Sequence, residues 1–389
     1  MTVIKKILLD DSVSAMNATT AYVSSSENSL LQHYIRLEVS DTMGEYSRRY
    51  SHDNGRTWSA SSLLFKPYKT DKGVFRRGEN ALFLDREKSA VIHVYNLHIY
   101  PDNVFSGEMY RHTRIFFEIS FDGGKNFCAP RQIIQDGYDE VNWAEGIYWG
   151  KNQSMLSFSE IIKTNGCLIL PAQRMPLDAD FAKPYRMALE AGCFIGRWKG
   201  DSISWNCAKW RTIEKERSVR GVYEPAIAEL RDGGMIMVCR ASSTGNLEMP
   251  SFKWCSFSDD GGLAWTSPEP LKYDDGVPAF SPSSGSKFIR SSQNGKLYWI
   301  GNLSDQNPEG SRPRYPLLIS EFDEDKKALK RESIKVFDTR NENDSPLVQL
   351  SNFKVYEDRE THEFVLNMAR LQERGNISGN PLYEYRMKI

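Results

Sequence analysis

Short apolar runs of four to six residues recur along the chain, and they are rich in Val, Ile, Leu and aromatic side chains. Gly, Asn, Asp and Pro separate these runs, as turn residues do between β-strands. No segment shows the 3.6-residue apolar period of a long amphipathic helix. Because no low-complexity linker divides the chain, the pattern predicts one all-β domain over residues 1–389. Representative predicted strands are 90–95, 167–170, 235–239, 296–300 and 363–366.

A short repeat, Ser-x-Asp-x-Gly-x-x-aromatic, occurs at residues 51–58, 120–127 and 258–265. Each copy follows a strand-like run, such as residues 114–119 before the second copy. The aspartate is expected to accept hydrogen bonds from the backbone N–H groups that follow it, and the glycine permits a positive φ. The repeat therefore predicts a turn whose aromatic residue packs back onto the sheet.

Two degenerate copies of this repeat stand at residues 200–205 and 320–325. The aspartates of the five copies are separated by 69, 79, 59 and 63 residues. This spacing is longer than the period of common solenoids and suits a four-stranded propeller blade with loop insertions. The length of the chain then predicts a six-bladed β-propeller of four-stranded antiparallel blades. The last blade is expected to combine strands from both termini, with residues 382–387 as the final strand.

The composition excludes several classes of protein. Lys and Arg number 50 and Asp and Glu number 51, so the net charge of −1 argues against a nucleic-acid-binding protein. No apolar run is long enough for a transmembrane helix, and the N-terminal run is too short for a secretory signal. The expectation is a cytoplasmic protein, or a periplasmic or secreted one whose signal has been removed. Six scattered cysteines without a CxxC motif predict free thiols, and no metal or organic cofactor is implied.

The three repeats resemble the Asp boxes of the sialidase (neuraminidase) superfamily, whose members are six-bladed propellers. A second similarity is the segment 223–240, Tyr-Glu-Pro-Ala-Ile-Ala-Glu-Leu-Arg-Asp-Gly-Gly-Met-Ile-Met-Val-Cys-Arg, which resembles the segment that opens a blade in that superfamily. The resemblance implies an exo-acting glycoside hydrolase that releases a terminal acidic sugar, sialic acid, from a glycan. The repeats themselves lie on blade rims in that family, so they indicate the fold more strongly than the function.

The resemblance also implies roles for particular residues. Glu224 corresponds to the carboxylate that serves as base for the nucleophile. Arg240 and Arg314 resemble two members of an arginine triad that holds the sugar carboxylate, which suits the planar guanidinium fork. Asp41 lies in the loop that carries the family's acid/base aspartate. Tyr223 precedes Glu224 and is expected at the substrate.

Loops that enter the innermost strands line the ligand-binding face of a propeller, and they contain further candidates. Glu145 stands among aromatic residues in segment 143–149, where Trp143 is a predicted platform for a sugar ring and burial would raise the pKa of the carboxyl group. Arg77 and Glu79 precede the first strand of the second predicted blade, so they are also expected to face the pocket.

Two elements of the family pattern are missing. Residues 17–23 occupy the place of the motif that bears the first triad arginine, but they contain no arginine. Leu350 occupies the slot of the nucleophilic tyrosine. Two other functions are therefore open: a two-carboxylate glycosidase that resembles exo-arabinanases and uses Glu224 with Glu145, and a glycan-binding propeller without catalysis.

Overall fold

The computed structural model describes residues 3–101, 112–156, 160–177 and 188–389, and these residues form six antiparallel β-sheets arranged as a six-bladed propeller. The predicted fold class is therefore confirmed. Within the described ranges, helix is limited to a single 3-10 turn at Arg331–Ser333. No helix in this part of the chain is long and apolar enough to cross a membrane.

The strands follow the chain from blade to blade. Blade 1 contains β2 (Ala15–Tyr22), β3 (Leu30–Val39), β4 (Thr42–Ser51) and β5 (Ser62–Phe65). Blade 2 contains β6 (Tyr68–Thr70), β7 (Gly73–Asp85), β8 (Ala90–Tyr100), β9 (His112–Ser120) and β10 (Arg131–Gln132). Blade 3 contains β11 (Ser154–Met155), β12 (Ile162–Thr164), β13 (Cys167–Arg174), β14 (Glu190–Lys199) and β15 (Ser202–Cys207).

The second half of the ring repeats the same plan. Blade 4 contains β16 (Tyr223–Glu229), β17 (Met235–Arg240), β18 (Trp254–Ser258) and β19 (Glu269–Pro270). Blade 5 contains β20 (Lys287–Arg290), β21 (Leu297–Asn302), β22 (Leu317–Asp323), β23 (Ala328–Leu329) and β24 (Lys335–Asp338). Blade 6 contains β25 (Phe353–Glu357), β26 (Phe364–Ala369), β27 (Leu382–Met387) and β1 (Val3–Leu9).

The sixth blade closes the ring with strands from both ends of the described chain. β1 pairs antiparallel with β27, and Val3 lies opposite Met387. The predicted final strand at residues 382–387 is confirmed as β27. This pairing of the first strand with the last completes blade 6. Blade 6 in turn packs against β2 of blade 1, which closes the ring.

The three Ser-x-Asp-x-Gly repeats form the same turn, between β4 and β5 of blade 1, between β9 and β10 of blade 2, and between β18 and β19 of blade 4. In the first copy, Ser51 Oγ donates to Asp53 Oδ1 over 2.8 Å and accepts the Gly55 N–H over 2.8 Å. Gly55 has φ +80°, a conformation that a side chain would strain. The equivalent bonds recur in the other two copies. These bonds give each corner a fixed geometry.

Apolar faces of neighbouring blades pack together into a ring of cores. One core joins Val94 of blade 2 to Phe194 of blade 3, and another joins Met237 of blade 4 to Ile169 of blade 3. Each such side chain contributes roughly 1.5–3 kcal/mol when fully buried. The cores hold the inner strand ends in place around the axis, and these ends carry the site. The cysteines are free, as predicted.

Candidate active site

A cavity of about 930 Å³ opens at the face of the propeller where connecting segments enter the inner strands. It contains six of the residues predicted from the sequence, contributed by blades 1, 2, 4 and 5. They are Asp41, Glu79, Tyr223, Glu224, Arg240 and Arg314. Polar and apolar surfaces both line the cavity, which is typical of sites for small organic ligands.

Glu224 owes its position to an irregularity at the start of β16. Tyr223 lies opposite Arg240 in the ladder, but the register shifts before Ala226. Such a bulge re-aims side chains next to functional sites. Glu224 has φ +49°, which costs roughly 1–2 kcal/mol for a residue with a side chain. The Glu224 N–H donates to Gln173 Oε1 over 2.9 Å, which helps to hold this conformation.

Glu224 and Arg240 form an ion pair in the cavity. Arg240 Nη1 donates to Glu224 Oε1 over 2.7 Å, and both side chains are largely buried, at 15% and 13% exposed. Burial alone would lower the pKa of Arg240, but the attraction of the Glu224 carboxylate outweighs it and raises that pKa. Glu224 Oε2 is buried and makes no hydrogen bond with a described residue. Arg240 therefore binds one oxygen of the Glu224 carboxylate and leaves the other, Oε2, without a hydrogen-bond partner among the described residues.

Arg240 also connects to Tyr223 through a serine. Arg240 Nε donates to Ser283 Oγ over 2.9 Å, and the Tyr223 hydroxyl lies 2.9 Å from the same oxygen. The Arg240 guanidinium lies 4.9 Å from the centre of the Tyr223 ring, and the Arg220 guanidinium lies 4.8 Å from it. The buried phenol ring therefore has two cations within 5 Å of its centre, and both belong to the cavity wall.

Arg314 has only neutral partners among the described residues. Its Nη1 donates to Gln349 Oε1 over 2.8 Å, and its Nε donates to the Ser311 carbonyl over 3.1 Å. No carboxylate of the described ranges forms an ion pair with it. Burial, together with repulsion from Arg240, lowers the pKa of Arg314 to about 10. Arg314 is thus charged at neutral pH and adds a positive charge that is not in direct contact with any carboxylate of the described residues.

Asp41 lies in the tight turn between β3 and β4 and borders the cavity. Its φ of +57° suits an aspartate, which tolerates the left-handed region better than most residues. The Tyr100 hydroxyl donates to the Asp41 carbonyl over 3.0 Å and fixes this turn. The Asp41 side chain is exposed and acts electrostatically on both Arg240 and Arg314. A carboxyl group at this place is accessible to a ligand that the arginines hold.

Three predicted residues lie outside the cavity lining. Glu145 is exposed, and its backbone N–H donates to the Gln135 side chain while its carbonyl accepts from Arg174. Trp143 is fully buried in the core between blades 2 and 3, so the prediction that its ring is a platform for a sugar is wrong. Arg77 stacks on Tyr95, with its guanidinium 4.0 Å from the ring centre.

The other polar residues of the cavity differ in how clearly the sequence indicates them. Arg220 lies in the segment that leads into β16, so its place before an inner strand was a usable signal. Glu79, which the sequence analysis expected at the pocket together with Arg77, does line it and accepts from Asn96 Nδ2 over 2.9 Å. Ser283 and Gln349 had no signal, because their roles arise from contacts between blades.

An apolar patch forms one wall of the cavity. Met155, Met175 and Leu189 of blade 3 cluster with Tyr223, and all four are buried. This wall is an uncharged surface, while the arginines belong to blades 4 and 5. In the described ranges, no group of three His, Cys, Asp or Glu residues is arranged to hold a metal ion.

No family model matches the chain, and no curated protein sequence is significantly similar to it. Solved structures are similar in fold over nearly the whole chain. A protein of unknown function from Dyadobacter fermentans has a TM-score of 0.66 at 11% identity, covering 100% of this chain and 99% of its own. A Hadza microbial sialidase has a TM-score of 0.66 at 14% identity, covering 99% of this chain and 68% of its own.

An intramolecular trans-sialidase from Ruminococcus gnavus has a TM-score of 0.62 at 12% identity, covering 99% of this chain and 97% of its own. At such low identities the likeness concerns the fold alone. The chain therefore has the fold of sialidase propellers, and its chemistry depends on the residues of its own cavity.

Proposed function

We propose that the protein is an exo-acting glycoside hydrolase of the sialidase-like superfamily, which releases a terminal acidic sugar from a glycan. Sialic acid is the proposed sugar, by resemblance to the family. The observation that carries the proposal is the pair of guanidinium groups of Arg240 and Arg314 beside two carboxyl groups in one cavity. A cavity with these groups combines a site for an anion with the acid and base that glycoside cleavage needs.

The arginines favour an acidic ligand over a neutral one. Arg240 is already paired with Glu224, whereas Arg314 contacts neutral acceptors. A ligand carboxylate would supply the missing counter-charge, and guanidinium–carboxylate hydrogen bonds are roughly twice as strong as neutral ones. Arg220, whose guanidinium lies 4.8 Å from the centre of the Tyr223 ring, adds positive charge to the same wall.

The two carboxyl groups have different environments, which suits different roles. Glu224 is held by Arg240, and its free Oε2 is proposed to accept the proton of the attacking nucleophile. Asp41 is exposed at the cavity edge and is proposed to protonate the leaving oxygen. With water as the nucleophile, its oxygen bonds to the anomeric carbon and its proton passes to Glu224. The bond from that carbon to the leaving oxygen breaks, and Asp41 protonates this oxygen, so one water molecule is added overall.

The first test is cleavage of a fluorogenic α-sialoside by the purified protein. Turnover by the wild type, and its loss in Arg240→Ala, are the expected results. If the protein ignores this substrate but cleaves a neutral aryl glycoside, and Glu145→Gln abolishes that activity, the two-carboxylate alternative replaces the proposal.

A glycan-binding propeller without catalysis is the second candidate, and one observation favours it. Leu350, at the slot of the family's nucleophilic tyrosine, is fully buried and has no group that could attack. This alternative predicts retention of a sialylated glycan on the protein without turnover of either substrate class. Arg314→Ala would then weaken retention, which separates specific binding from adsorption.

A further inference from the structure

Lys253 is a buried cation directly behind the cavity. It immediately precedes β18, and only 1% of its surface is exposed. Its ammonium donates to the Ser284 carbonyl and lies 3.4 Å from Ser284 Oγ. Both acceptors are neutral, and no carboxylate of the described ranges forms an ion pair with it. A buried ammonium without a counter-ion is costly, so its charge depends strongly on the charges around it.

The segment that Lys253 binds is in contact with three cavity residues. Ser283 accepts a hydrogen bond from Arg240 and lies within hydrogen-bond distance of the Tyr223 hydroxyl. A Cβ atom added to Gly285 would lie 3.4 Å from Glu224 Oε2, which shows how closely this backbone approaches the carboxylate. The segment Ser283–Gly285 therefore sets the positions of the groups that face the ligand, and the Lys253 ammonium holds its middle residue.

The charged and titratable groups that act on Lys253 come from the elements around it. Arg240 and Cys239 belong to β17, Glu224 belongs to β16, and Arg314 precedes β22. Burial is the main cause that lowers the pKa of Lys253, to about 7, and repulsion from Arg240 adds to it while Glu224 opposes it. A negative charge placed between the two arginines would offset their repulsion of Lys253.

We propose that Lys253 is a positioning residue, whose ammonium anchors the Ser283–Gly285 segment and whose protonation is coupled to the binding of an acidic ligand. The proposal rests on the proposed function, because it takes the ligand to be an acidic sugar. Lys253 does not touch the ligand in this proposal, and a proton enters the protein when the ligand binds.

The sign of the coupling follows from linkage. A ligand carboxylate favours the charged form of Lys253 and raises its pKa in the complex. Below the pKa of the free protein the ammonium is already charged, and binding takes up no proton there. Above that value binding requires proton uptake, so the affinity declines as the pH rises, by up to about tenfold per pH unit until the pKa of the complex is reached.

The experiment is calorimetric titration of the wild-type protein with free sialic acid at pH about 8 in two buffers of different ionisation enthalpy. Proton uptake of up to about one per ligand is expected. The methyl ester of the sugar is the matched neutral ligand and should cause much less uptake. Equal heats in the two buffers for the free acid would overturn the coupling.

Two variants test whether Lys253 is the group that takes up the proton when the ligand binds. Lys253→Met has a similar length without a charge, and it should lose most of the uptake, whereas Lys326→Met on an exposed loop should keep it. Persistence of full uptake in Lys253→Met would refute the assignment. If this variant does not fold, the wild-type result still decides whether binding is proton-linked.

A ligand-free measurement separates this inference from the proposed function. In protein labelled with carbon-13 lysine, two Cε resonances are expected to titrate near pH 7, well below the ordinary lysine value of 10.5, and they belong to Lys253 and Lys287. Lys253→Met should remove one of them. Absence of the Lys253 resonance near pH 7 overturns the role of Lys253 even if sialic acid binds. If the resonance is present but no acidic sugar binds at any pH, the proposed function and the coupling fail together, while the anchoring role is retained.

Discussion

Arg240 and Arg314 line the same cavity, but only Arg240 has a carboxylate partner, because Glu224 Oε1 accepts its Nη1 at 2.7 Å. Arg314 instead donates to the amide oxygen of Gln349. The two arginines therefore differ in their contacts within one site. In the proposed function, Arg240 orients Glu224 and Arg314 supplies the positive charge that attracts an anionic ligand.

The first prediction concerns this charge. Gln349→Glu would place a carboxylate on Arg314 at almost unchanged volume, and the Arg314 charge would then be neutralised within the protein. We expect the KM for an α-sialoside to rise about tenfold or more, which corresponds to roughly 1.4 kcal/mol or more, with a smaller effect on kcat. Steady-state kinetics measure both constants. Gln293→Glu, in an exposed turn, is the matched control, and an equal KM increase there would contradict the argument.

The second prediction concerns Glu224. Glu224→Gln keeps an oxygen for the Arg240 hydrogen bond but cannot accept a proton. We expect kcat to fall by about 10²–10⁴, the usual contribution of a general base. Circular dichroism and thermal unfolding verify that the variant is folded. The control is Glu332→Gln, since the Glu332 side chain is 79% exposed in the 3-10 turn. Wild-type turnover in Glu224→Gln would exclude the proposed base.

The third prediction concerns Asp41. Asn is the matched replacement, because it tolerates the φ of +57° that the turn requires. If Asp41 protonates the leaving oxygen, Asp41→Asn should lose at least about 100-fold in kcat on a natural sialoside. The loss should be much smaller on an aryl sialoside, whose leaving group needs little protonation. An equal loss on both substrates would instead indicate a role in binding.

The fourth prediction concerns the repeat turns and pH. Hydrogen bonds from the Asn126 backbone, from Ser120 and from the Asn126 side chain lower the pKa of Asp122 to about 2. Because the folded pKa is lower than the unfolded one, the stabilisation is present above about pH 4 and is lost as the pH falls through about 2. Asp122→Asn should lower the Tm by about 1–3 °C at pH 7 and by less near pH 2.

Scanning calorimetry of wild type and variant between pH 7 and pH 2 measures this difference. Asp325→Asn is the control, since its side chain is exposed. A difference in Tm that stays constant down to pH 2 would show that the carboxylate charge at Asp122 does not stabilise the turn.

Much of the fold was predictable because it depends on local patterns. The Ser-x-Asp-x-Gly repeats mark corners whose hydrogen bonds lie within five residues, as in Ser51 to Gly55. Alternating strands and turn residues then indicate how many sheets the chain can form. The closing strand Leu382–Met387 followed from the need to pair the last blade.

Residues of the candidate site were predictable from the sequence where they belong to a recognisable motif. Tyr223, Glu224 and Arg240 share one hairpin, so a single contiguous segment indicated all three. Trp143 was assigned to the ligand because its neighbours are aromatic, but burial against blade 3 decides its place, and sequence neighbours do not report burial between blades.

Tertiary structure alone decided which residues meet at the axis. Ser283 touches both Arg240 and Tyr223, Gln349 neutralises no charge on Arg314, and Lys253 lies buried behind them. The physical reason is that each of these contacts joins segments far apart in the chain, and its strength depends on burial and on nearby charge. The amino-acid sequence by itself determined the blades and one hairpin of the site, and the packing of six blades around one axis determined the electrostatics of the site.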